Sequence, residues 1–104
     1  MQLDQEVVDN YVEYFHKKGE DALCKYIIGL GLKRGLKRGL NIQNPELEIL
    51  YISESFFALY RSTGKEVYFD MGRVFRRAAH KIYRIFLKTD KEKEINAKFL
   101  NKVR

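Results

Sequence analysis

The stretch KEVYFDMGRVFRRAAHKIYRIFLK, residues 65–88, decides how the chain is read. At 100° per residue, Met71, Val74, Phe75, Ala78, Ile82, Ile85 and Phe86 fall on one side of a helix, and Arg73, Arg76, Arg77, His80, Arg84 and Lys88 fall within about a third of the circumference on the other. A periodicity of 3.6 over six turns predicts an amphipathic helix from Lys65 to Lys88 with an apolar face to bury and a cationic face to expose. Gly72 lies at the margin of the apolar face. A glycine inside a helix costs stability, so this position is expected to mark a close approach by a neighbouring helix.

Upstream, Asn44-Pro45 is a helix start: a capping side chain, then proline at the first helical position, where its missing N–H is harmless. The helix runs to about Ser62. Leu47, Leu50, Phe56, Phe57, Leu59 and Tyr60 supply its apolar surface, Ile49, Tyr51 and Ile52 widen it, and Gly64 stops it. The connection Thr63-Gly64 is so short that this helix and the next must run antiparallel. Further upstream, Asp4 can cap a helix ending at Lys18 before Gly19, with Val7, Val8, Tyr11, Val12 and Phe15 on one face and Glu6, Asp9 and Glu13 opposite.

A further helix starts near Glu20 or Asp21 and carries Leu23, Tyr26, Ile27 and Leu30. Its end is harder to place, because residues 31–40 repeat Gly-Leu-Lys-Arg twice before a last Gly-Leu. Glycine costs a helix about 1 kcal/mol relative to alanine. Either the helix continues, with leucines four residues apart and a stripe of glycine, or the chain leaves it as a basic loop; three glycines in this stretch favour the irregular segment, and residues 31–44 are read as a Gly-rich basic connector. At the other end, the tail from Lys91 forms a short fifth helix through Ile95, Phe99 and Leu100, or frays. The expected fold is all-α: one domain over residues 1–104, built as a small antiparallel bundle of four helices, with the fifth as a variant.

Composition agrees with that class. The chain has one proline and 45% apolar residues, enough for a single core. No apolar run approaches the roughly 20 residues that span a bilayer, and the acidic, polar N-terminus does not resemble a secretory signal. A single cysteine, Cys24, has no internal partner and is expected as a small buried core residue. These features point to a cytoplasmic protein without a membrane role.

The net charge of +6 is uneven. Residues 1–22 carry six acids and two bases, 23–40 five bases and no acid, and 41–60 three acids alone. Residues 61–88 carry eight bases and two acids. Two cationic segments therefore stand out, Lys33, Arg34, Lys37 and Arg38 in the repeat, and Arg73, Arg76, Arg77, His80, Arg84 and Lys88 on the predicted helix face. Guanidinium groups three and four residues apart line up as contacts to a phosphate backbone, and glycines let main chain approach it closely. A nucleic-acid partner is the expectation, with a protein-interaction or assembly module (adaptor, inhibitor or homodimer) as the alternative. Most aromatic residues sit at predicted core positions, leaving Tyr83 as the one aromatic expected to touch a partner.

Enzymatic chemistry finds no foothold. The repeat lacks the Gly-Lys-Ser/Thr ending and preceding strand of a phosphate-binding loop, and no nucleophile elbow or paired-cysteine motif occurs. Glu13 and His16 share the spacing used in di-iron bundles, yet such a centre needs a second Glu-x-x-His pair, and His80 follows Arg76 and Arg77 instead. No catalytic residues, cofactor, metal or small-molecule substrate are expected.

Overall fold

The computed structural model describes the backbone of residues 3–37 and 45–103 and the side chains of residues 3–33 and 45–87. Four helices occupy them: α1 (Gln5–Lys18), α2 (Glu20–Lys37), α3 (Pro45–Thr63) and α4 (Glu66–Val103). The protein is all-α. Asp4 caps α1 by accepting a hydrogen bond from the Glu6 amide at 3.2 Å. Gly19 and Gly64 end α1 and α3 with φ of 92° and 71°, conformations that a side chain disfavours. Their amides donate to the carbonyls of Phe15 and Tyr60 at 2.9 and 2.7 Å, which satisfies otherwise unpaired groups of the last turns.

Two expectations need correction. Residues 31–37 are not part of an irregular connector, because α2 continues to Lys37; residues 38–44 lie outside the described residues. The reason is tertiary. A Cβ on Gly31 would come within 2.5 Å of Ile82 Cδ1 and 3.1 Å of Ile49 Cδ1, so the bare backbone of α2 lies directly on α3 and α4. Close packing offsets the propensity that glycine forfeits. Nor is there a separate fifth helix: α4 runs unbroken through the tail to Val103. No glycine or proline occurs after Gly72, so nothing local interrupts it. At 1.5 Å per residue α4 is about 57 Å long, close to the 61 Å long dimension of the molecule. α3, about 28 Å long by the same measure, accompanies only its first half.

The core lies where α1 and α2 cross one face of the α3–α4 hairpin. Val8, Leu23, Phe56, Met71, Val74, Phe75 and Ile82 are buried there, with Cys24 among them. Tyr11 of α1 meets Phe75 of α4 edge to face, ring centroids 5.0 Å apart, a favoured aromatic geometry. α3 and α4 approach closely at Gly72, as its position in the sequence suggests. A Cβ there would stand 2.7 Å from the Phe57 ring, and the buried Ser53 hydroxyl donates to the Gly72 carbonyl at 2.6 Å.

Candidate nucleic-acid interface

The site follows from which side of α4 the bundle covers. Met71, Val74, Phe75, Ala78, Ala79 and Ile82 are buried against the other helices. Every exposed position of α4 from 73 to 84 is then left for Arg73, Arg76, Arg77, His80, Lys81, Tyr83 and Arg84. The strip contains no acid. Rising 1.5 Å per residue, it places five lysine and arginine charges along about 16 Å, in rows three and four residues apart. Arg73, Arg76, Arg77, His80 and Arg84, picked out by periodicity, thus share one solvent face. Tyr83 stands on it, half exposed. Lys81 belongs to the same surface and lay just beyond the arc drawn from the sequence; an exposed lysine next to a buried Ile82 was the available signal.

Neutralisation within the molecule is slight. Arg77 meets Asp21 of α2 at 3.3 Å, with both side chains well exposed. Such a pair is worth about 0–1 kcal/mol and leaves most of the field in place. Arg73, Arg76, Lys81 and Arg84 form no ion pair among the described residues. The acids of α1 are engaged elsewhere in part: Glu13 pairs with Lys17 at 2.7 Å, one turn along the same helix. That hydrogen bond and the opposite charge hold the Glu13 carboxyl below, and the Lys17 ammonium above, their ordinary ranges.

The repeat segment does not join this face in the described residues. Gly31 faces α4, and Lys33 lies about 200° further round α2 and is exposed on the far side. The side chains of Arg34, Lys37 and Lys88, and all of Arg38, lie outside the described residues. The cleft between the helices, lined by Tyr11, Ile27, Gly31, Ile49 and Phe75 among others, holds about 50 Å³, room for a water or two and far below the few hundred Å³ of ligand pockets. The candidate site is therefore a surface. Among the described residues no three His, Cys, Asp or Glu side chains gather to hold a metal ion, and no helix is long and apolar enough to cross a membrane.

Sequence reading missed how many aromatic residues stay near solvent. Phe56 and Phe75 are fully buried, yet Tyr26, Tyr51 and Phe69 are exposed along with Tyr83. Helical spacing locates an apolar face but cannot say whether a neighbouring helix will cover all of it.

The chain matches no protein-family model, no curated protein and no solved structure.

Proposed function

We infer that the protein binds nucleic acid through the outer face of α4. One observation carries this reading: each exposed position from Arg73 to Arg84 is cationic, a histidine or Tyr83, and a single surface pair, Arg77 with Asp21, offsets that charge among the described residues. Arginine and lysine at this density follow a phosphate backbone, displacing its condensed counterions, while Tyr83 offers a ring against which a base can stack. Contacts of this type hold position without reading bases, so binding has weak sequence preference. The Gly-Leu-Lys-Arg segment adds nothing to this face, since Lys33 is exposed on the far side of α2, and the reading rests on α4 alone.

Salt dependence supplies the test. With four or five phosphates neutralised, the affinity falls roughly 150- to 500-fold between 50 and 200 mM salt. Titration of labelled DNA and RNA across that range measures the slope, and changing Arg73, Arg76, Arg77 and Arg84 to Glu abolishes binding while leaving the circular dichroism of the helices intact. Absence of binding even at low salt, where the Debye length is greatest, refutes the reading.

A further inference from the structure

Tyr83 stands at one edge of the cationic strip on α4. With 100° per residue, Arg76, His80, Arg73, Arg84, Arg77 and Lys81 lie about 20°, 60°, 80°, 100°, 120° and 160° round the helix from Tyr83, all in the same sense. The ring is 52% exposed. Leu87, one turn further along α4 and about 40° round from it, is 39% exposed. The two side chains form a small apolar platform beside a line of cations, and every cation lies on the same side of the ring.

A polyanion laid along the strip sets its phosphates over the arginines. What then meets the platform depends on whether its bases are paired. In a duplex the bases are stacked between two backbones, so the edge of the strip meets a groove or a second sugar-phosphate chain, and Tyr83 finds no base face. A single strand has one backbone, and its unpaired bases are free to lie flat on an aromatic ring. We propose that the partner of α4 is single-stranded nucleic acid, with its phosphates on Arg73, Arg76, His80 and Arg84 and an unpaired base stacked on Tyr83 against Leu87. The proposal rests on the nucleic-acid reading of this face and narrows it to unpaired strands. From Arg73 to Arg84 the strip is about 16 Å long, room for about four nucleotides, at the small end of single-strand sites. Contacts to phosphates and to the flat of a base are common to DNA and RNA, so strands of either kind fit.

Two magnitudes separate the single strand from the duplex. Per neutralised phosphate, the salt exponent is about 0.7 for a single strand and about 0.9 for a duplex. With four or five phosphates neutralised, raising salt from 50 to 200 mM weakens a single strand about 50- to 130-fold and a duplex about 150- to 500-fold. Preference for the single strand therefore grows about three- to fourfold over that range. Loss of a stacked ring costs about 5- to 150-fold in affinity for the strand that stacks on it and leaves phosphate contacts intact.

Fluorescence anisotropy of the full chain with labelled oligothymidylate, oligouridylate and a DNA duplex, each twelve nucleotides long per strand, measures both at 50 and 200 mM salt. At 200 mM the two single strands bind more tightly than the duplex. Tyr83→Ala weakens them about 5- to 150-fold and changes duplex affinity by less than about twofold, while Tyr83→Phe, which keeps the ring, stays within about threefold of the parent. Duplex binding by the same variant shows that it is folded, so a loss confined to single strands belongs to the ring. A duplex bound as tightly as the single strands at 200 mM, or a Tyr83→Ala variant that weakens both alike or neither, overturns the proposal while the reading of α4 stands. Absence of binding to all three at 50 mM overturns both.

Discussion

Gly29 and Gly72 offer one substitution in two settings, and the structure assigns them opposite signs. Both sit inside helices, so replacing either with alanine removes the same backbone penalty and contributes about 0.8–1 kcal/mol of stability before any packing is considered. At Gly29 the new methyl group meets nothing within 4 Å. The full gain is retained, and Gly29→Ala should raise the melting temperature by about 4–8 °C for a domain of this size. At Gly72 the methyl would lie 2.7, 2.8 and 2.9 Å from three atoms of the Phe57 ring, against about 3.5 Å for a comfortable contact. A ring is rigid, so it must retreat as a unit by most of an ångström, loosening its packing on Phe69 and straining the Ser53 hydrogen bond to the Gly72 carbonyl. Overpacking of this kind costs about 1–3 kcal/mol, which outweighs the propensity gain. The net expectation for Gly72→Ala is a loss of about 0–2 kcal/mol. Urea denaturation of the two variants beside the parent settles the matter, since the difference between them, about 1–3 kcal/mol, is free of the shared propensity term. Equal stabilisation by both would show that α3 does not approach α4 at Gly72 and would undo the packing argument.

Two further predictions concern the core and the surface. Phe56 is fully buried, 5.3 Å from Phe75 between ring centroids; Phe56→Ala should cost about 3–5 kcal/mol, a large part of the 5–15 kcal/mol typical of a domain, read as a lower urea midpoint with the slope unchanged. The Glu13–Lys17 pair should give a small pH signature. Glu13 is depressed, so its support is present above its unfolded titration range and lost as pH falls through the folded one; Lys17 is raised, so its support is lost as pH rises through its own folded range. Thermal melts of the parent and Glu13→Gln should therefore converge in strong acid and differ slightly, in favour of the parent, at neutral pH. A gap that widens toward acid would contradict the sign.

Much of the fold was legible because its signals are local. Asp4, Gly19, Pro45 and Gly64 mark ends that one residue can encode, through a cap, a positive φ or a missing N–H. The six-turn period of residues 65–88 located both the buried and the cationic faces of α4 with no knowledge of its neighbours. The repeat was misread for the complementary reason. Its glycines argue against a helix when weighed alone, and Gly31 supports one only when Ile49 and Ile82 lie against the space that it leaves. The tail was read as a separate short helix or a frayed end, whereas a helix without glycine or proline simply continues.

The amino-acid sequence by itself therefore determined the all-α class, the hairpin of α3 and α4, and the cationic stripe, since each depends on spacing and on chemistry within a few turns. Only the tertiary structure decided that α2 runs through Gly31 and on to Lys37, that Asp21 reaches Arg77 across 56 residues of chain, and that Lys33 faces away from the α4 strip. Those are questions of which surfaces meet, and a periodicity of 3.6 gives each helix an apolar side without saying which neighbour, or whether any, will bury it.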